Sequence, residues 1–198
     1  MGEGEAHVVS AATRHVMQAN KSKNTKPELR VRAALREAGL AGYRLHWKKA
    51  PGHPDICYPG RKVAIFVNGC FWHRCPHCGL PSPKSNVEFW EAKFARNRAR
   101  DRREHDELVA AGWTVLVVWE CRLKRARFDL TMRELELAVE HARAAREPGV
   151  AAARLADGSC AEQLALTWGR PRVVEIGFMP VWRRAKFARR LRLRHSRR

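Results

Sequence analysis

Acidic residues are scarce in this chain. Only 20 Asp and Glu stand against 39 Lys and Arg in 198 residues, a formal net charge of +19. So one-sided a balance calls for a polyanionic partner, either nucleic acid or an anionic membrane surface. Long hydrophobic runs are missing as well. No stretch approaches the roughly 18 apolar residues that a spanning helix needs, and no secretory signal pattern opens the chain. These absences favour nucleic acid over membrane and lead to the expectation of a soluble, cytoplasmic protein. No internal repeat is detectable. The six cysteines could form three disulfides, but a Cys-x-x-Cys in an intracellular chain reads better as metal ligation.

The length suits one domain with a core plus an appendage. Residues 1–24 read as a basic arm carrying Arg14, Lys21 and Lys23. Residues 25–147 are patterned, and residues 148–198 form a basic tail read as disordered, with a folded module as the competing reading. Thr25-Lys26-Pro27-Glu28 predicts a helix start with a capping box, and Gly39 supplies its stop. Tyr43 to Trp47 is expected as a strand, followed by the Pro51-Gly52-His53-Pro54 turn and Asp55-Ile56-Cys57-Tyr58. Val63-Ala64-Ile65-Phe66-Val67 is an unbroken apolar run, as in a strand buried on both faces. A long charged helix from Glu88 to about Ala111, a strand from Trp113 to Trp119, and a capped helix opening at Thr131 complete an α/β layered domain.

Chemistry concentrates in Gly69-Cys70-Phe71-Trp72-His73-Arg74-Cys75-Pro76-His77-Cys78, answered downstream by Trp119-Glu120-Cys121. Cys75 and Cys78 can meet at one tetrahedral zinc, with Cys70 and Cys121 closing the sphere. His77, directly before Cys78, is the spare ligand. His73 is read as free to move protons, the competing reading being another zinc ligand. Asp101, among the arginines of the long helix, is either a solvated ion-pair residue or the carboxylate that orients His73. Asp55, at a strand edge after a turn, suits a Mg²⁺-dependent phosphodiesterase, although Pro-Asp is also ordinary turn chemistry. The acid-x-Lys pair of many nucleases is absent, because the next strand reads Ile65-Phe66-Val67-Asn68.

These positions, taken in order, resemble the very short patch repair (Vsr-type) endonucleases from about Arg14 to Leu123. The resemblance rests on Met17, Thr25-Lys26-Pro27-Glu28, Gly52-His53-Pro54-Asp55 and Val63 through His73. It continues in Pro83-Lys84-Ser85-Asn86-Val87-Glu88-Phe89-Trp90, Asn97-Arg98, Asp101-Arg102-Arg103, and Gly112-Trp113 to Cys121. It implies a restriction-endonuclease-like three-layer fold with a central mixed sheet. It also implies a strand-specific endonuclease that nicks 5′ to the thymine of a T·G mismatch in double-stranded DNA. In that family the match to Asp55 binds Mg²⁺ with a backbone carbonyl at Val67, the match to His73 acts on the attacking water, and Glu28 and Asp101 support the site. The zinc site is structural, built from Cys70, Cys75, Cys78 and Cys121. Phe71, Trp72 and Trp90 match the aromatic wedge that enters the DNA stack, Met17 its minor-groove counterpart, and Asn97 a DNA contact.

Two departures bear on chemistry. Asn68 stands where some members carry a histidine near the scissile phosphate, and the Cys-x4-Cys-x2-Cys spacing leaves His77 able to replace a cysteine. The resemblance further implies a monomer that works at the nucleoid alongside host mismatch-repair proteins. Two alternatives stay open: a nicking or restriction nuclease that needs no mismatch, and a non-enzymatic zinc DNA-binding module.

Overall fold

The computed structural model describes residues 23–144 and 172–177. Helix α1 (Lys26–Glu37) starts on the expected capping box. Thr25 Oγ1 accepts the Glu28 N–H at 3.4 Å, and the Glu28 carboxylate accepts the Thr25 N–H at 3.3 Å. Strands β1 (Arg44–Leu45), β2 (Ile56–Tyr58), β3 (Val63–Asn68), β4 (Thr114–Trp119) and β5 (Val173–Ile176) form one sheet in the order β1-β2-β3-β4-β5. The first two pairings are antiparallel and the last two parallel, so the sheet is mixed. Helix α2 (Val87–Ala110) connects β3 to β4, and α3 (Arg125–Ala144) follows β4.

Successive residues of a strand face opposite sides of the sheet, and both sides are covered here. Val63, Ile65, Val67, Leu116 and Val118 pack with Val31 and Leu35 of α1 and with Leu135 and Val139 of α3. Ala64, Phe66, Val115, Val117 and Trp119 pack with Leu108 of α2 and with Cys70, Cys75 and Cys121. Every residue of β3 and β4 is therefore buried, which is why neither strand alternates in polarity. The result is three layers, with α2 and the cysteine loop sharing one face. Among the described residues, no helix is long and apolar enough to cross a membrane.

Three expectations need correction. The strand expected over Tyr43–Trp47 shrinks to Arg44–Leu45, because His46 takes a left-handed backbone with φ 44°. The last helix starts at Arg125, so Thr131 is not its cap. Thr131 is buried in mid-helix, and its hydroxyl donates to the carbonyls of Arg127 (2.8 Å) and Arg122 (3.1 Å). Satisfying a carbonyl four residues back is the alternative to capping that a short hydroxyl side chain has inside a helix. The stretch assigned to the basic tail contributes β5, which extends the sheet beside β4. Phe71 and Trp72 pack against aromatic side chains of α2. The rest of the expected arm and tail lies outside the described residues, as does Met17.

Candidate active site and metal centre

The Pro51–Pro54 turn delivers Asp55 to the start of β2. Gly52 at φ 68° sits against α2, where a Cβ would lie 2.8 Å from Glu104 Oε2 and 2.9 Å from Glu104 Cβ. Only glycine fits both the backbone and the gap. Asp55 Oδ2 accepts the Val67 N–H at 2.8 Å, which ties the carboxylate to the neighbouring strand. Burial pushes the Asp55 carboxyl up to about 6 against that hydrogen bond; Glu28 adds to the rise, while Arg32 and His73 oppose it. Asn68 is buried at the end of β3, paired in register with Trp119.

Glu28 is 3% exposed and almost saturated. Its carboxylate accepts from Asn24 N–H (3.0 Å), Thr25 N–H (3.3 Å), Thr25 Oγ1 (2.8 Å) and Arg32 Nη2 (2.7 Å). Arg32, equally buried, also donates to Asn24 Oδ1 at 2.6 Å and lies 3.1 Å from His46 Nε2. His46 stands between the two acids, with Nε2 3.8 Å from Glu28 Oε2 and Nδ1 3.8 Å from Asp55 Oδ1. Burial holds its imidazole below the ordinary value against the charge of Glu28. Glu28, His46 and Asp55 each present a donor atom within 4.8 Å of the others, which is the spacing of a metal-binding group.

After β3, His73 Nδ1 donates to Asp101 Oδ2 of α2 at 2.5 Å. Arg100 holds the second carboxylate oxygen of Asp101 at 3.1 Å. Burial would push the Asp101 carboxyl up, but the hydrogen bond and charge of His73, with those of Arg100, hold it below its ordinary value. A carboxylate on Nδ1 leaves the Nε2 lone pair as the working end of the ring.

The sulfurs of Cys70, Cys75, Cys78 and Cys121 lie within 4.8 Å of one another, and three of the four residues are buried. The Cys121 N–H donates to Cys70 Sγ at 3.3 Å. Burial pushes the Cys70 thiol up and the Cys75 thiol up to about 11, so a dication is what would favour thiolates in this pocket. Four clustered sulfurs with an N–H···S bond fit a closed structural zinc site. His77 is not among them. Its Nε2 pairs instead with Glu175 Oε2 of β5 at 2.6 Å, and Glu175 Oε1 accepts Trp119 Nε1–H at 3.2 Å. The ring of His77 thus lies against a carboxylate 98 residues away in sequence.

Phe71, Trp72 and Trp90 are half-buried and pack mutually, at centroid distances of 5.1 Å (Phe71–Trp72), 5.3 Å (Phe71–Trp90) and 6.0 Å (Trp72–Trp90). Buried Phe94 forms their floor, and Lys93 Nζ lies 5.0 Å from the Trp72 ring. Asn97 Nδ2 donates to the Trp72 carbonyl at 2.9 Å, so it braces the aromatic loop against α2. The sequence reading missed Arg32 and His46. Arg32 carried a usable signal, since it follows Glu28 at i+4; His46 carried none.

A strongly basic three-layer scaffold that carries a Glu28–His46–Asp55 group and a His73–Asp101 pair has the parts of a hydrolase suited to a polyanion. The comparisons make that class specific. The family model described as DNA mismatch endonuclease Vsr matches residues 6–79. The Type II nicking enzyme V.XorIIP of Xanthomonas oryzae is 48% identical over 111 residues, covering 56% of this chain and 80% of its own. The Type II nicking enzyme V.NmeAIP of Neisseria meningitidis is 42% identical over 125 residues, covering 60% and 87%. The DNA mismatch endonuclease Vsr of Escherichia coli is 41% identical over 128 residues, covering 64% and 80%. The chain belongs to the Vsr family of DNA endonucleases.

Proposed function

We propose that this protein is a strand-specific endonuclease that nicks double-stranded DNA 5′ to the thymine of a T·G mismatch, by metal-dependent phosphodiester hydrolysis. The observation that carries the reading is a pair of half-sites on one basic scaffold: Glu28, His46 and Asp55 at metal-binding spacing, and His73 Nδ1 held by Asp101 Oδ2 at 2.5 Å. One half-site suits a cation and the other a proton. Relatives named for nicking and for mismatch cleavage support the same reading.

Asp55 and the backbone at Val67 would hold Mg²⁺, and Cys70, Cys75, Cys78 and Cys121 would hold a structural zinc. When bound, the Mg²⁺ supplies positive charge to the phosphate and acidifies water. The protein's own groups do the rest. His73 takes a proton from the attacking water at Nε2, and Asp101 fixes the ring and stabilises the imidazolium. Glu28 and Arg32 keep the acidic corner rigid, and Asn68 sits beside it as a neutral hydrogen-bonding group. The products would be a 5′-phosphate and a 3′-hydroxyl.

The aromatic cluster fits recognition of a weak base pair. Unstacking a step costs a few kcal/mol, and each base stacked on an aromatic returns about 1–3 kcal/mol. A T·G pair lowers the first figure, so Phe71, Trp72 and Trp90 would enter there. Lys93, Arg98, Arg102 and Arg103 on α2 would bind phosphates without regard to sequence. A DNA substrate places the protein with the chromosome.

The test is strand-resolved cleavage of an end-labelled duplex carrying T·G or T·A at one position, with Mg²⁺, in several methylation-type contexts. A single nick beside the mismatched thymine, absent with T·A, is the expected result. Equal cutting of both duplexes would make this a sequence-specific nicking enzyme, the second reading favoured by the names of its relatives. Tight binding with no cutting would leave a zinc-dependent DNA-binding module.

A further inference from the structure

Glu28, His46 and Asp55 have the spacing of a metal-binding group, yet hydrogen bonding ranks them very differently. A carboxylate offers about four lone-pair sites, and four donors already occupy those of Glu28. Arginine only donates, so the Arg32 Nη2 contact at 3.1 Å makes His46 Nε2 the acceptor. The ring proton then sits on Nδ1, which faces Asp55 Oδ1 at 3.8 Å. Asp55 alone keeps free acceptor capacity: its Oδ2 has the Val67 N–H, and its Oδ1 has His46 as neighbour.

We infer that His46 is a positioning residue for Asp55: buried Arg32 sets its tautomer, and its Nδ1–H steadies the carboxylate oxygen that Val67 does not hold. The inference rests on the proposed metal role of Asp55. Held by Val67 alone, the carboxylate could pivot about one hydrogen bond, because the terminal torsion of Asp is broad. A donor on the second side stops that pivot and still leaves lone pairs outward for a cation. The span of 3.8 Å closes through a small rotation of the carboxylate or the ring. The left-handed backbone of His46 (φ 44°) is uncommon for a side chain of this size, and it is what turns the ring between the two acids.

Binding of Mn²⁺ to the zinc-replete full chain, without DNA, tests this independently of cleavage. His46→Ala should weaken Mn²⁺ binding by about 10- to 100-fold, the usual cost of losing an outer-shell partner, with an unchanged melting temperature. His46→Gln can accept from Arg32 with one amide atom and donate to Asp55 with the other, so it should restore affinity to within about threefold of the parent. Electron spin echo spectra of the Mn²⁺ form should lack nitrogen modulation from a coordinated imidazole. Unchanged affinity in His46→Ala would overturn the inference. So would imidazole modulation, with His46→Gln as weak as His46→Ala, since His46 would then be a ligand. Asp55→Ala separates the two levels: if it leaves Mn²⁺ binding intact, the metal reading of Asp55 has failed and the positioning role of His46 falls with it.

Discussion

Replacing Asp101 with Asn removes one charge and almost no volume, and it should slow nicking by about 10²–10⁴-fold. The magnitude follows from one hydrogen bond. Asp101 Oδ2 accepts from His73 Nδ1 at 2.5 Å, so the lone pair lies on Nε2, where a proton can be taken from water. An asparagine can turn its NH₂ toward Nδ1, which must then accept. The ring proton moves to Nε2 and the base is lost. At about 1.36 kcal/mol per decade, the predicted loss corresponds to roughly 3–5 kcal/mol of transition-state stabilisation. The cost to folding is smaller, about 1.5 kcal/mol, the low end for a bond to a charged group because the pair is part-exposed. The assay is single-turnover nicking of the T·G duplex, with thermal melting as a control. If Asp101 acts only through His73, adding Asp101→Asn to His73→Ala should slow nicking no further. Full activity in Asp101→Asn, or a double variant much slower than His73→Ala, would refute the assignment.

Three further outcomes follow from the same geometry. Stripping the cysteine cluster of metal, or replacing Cys121 with Ser, should lower the melting temperature and abolish binding to the mismatch, because the cluster anchors the loop that carries Phe71, Trp72 and His73; chelation with no change in melting would exclude a structural zinc. Gly52→Ala should destabilise by about 2–4 kcal/mol in chemical denaturation, combining a left-handed backbone with a contact of 2.8 Å to Glu104. The Asp101 carboxyl is held below its ordinary 3.8, so its contribution to stability is complete above that value and fades as pH falls through the lower folded value. The stability gap between parent and Asp101→Asn should therefore shrink as pH falls below 3.8; a gap that grows over that range would contradict the sign.

The capping box at Thr25 and Glu28 was legible in the sequence because both partners lie within one turn, and the structure forms it. Strands β3 and β4 were legible because a strand covered on both faces has no polar alternation to blur it. The four cysteines were legible from the chemistry of their spacing, and their sulfurs meet. The pairing of His73 with Asp101 entered as one of two readings for each residue, and the geometry selects it.

What stayed hidden has a common cause. Thr131 carries the local signature of a helix cap, but a buried position on α3 redirects its hydroxyl to the Arg127 carbonyl of its own helix and to the Arg122 carbonyl just before it. β5 is short and follows a stretch without pattern, so only its pairing with β4 identifies it as part of the sheet. His77 sits among the cysteines in sequence, and nothing near it in the chain announces the β5 carboxylate that its ring meets. Nothing near His46 in the chain advertises that it stands between Glu28 and Asp55. Charge, length, helix caps, buried strands and thiolate spacing are local or additive properties, and the sequence by itself determined them. Which donor meets which acceptor across tens of residues depends on how three layers close over the sheet, and that only the tertiary structure decided.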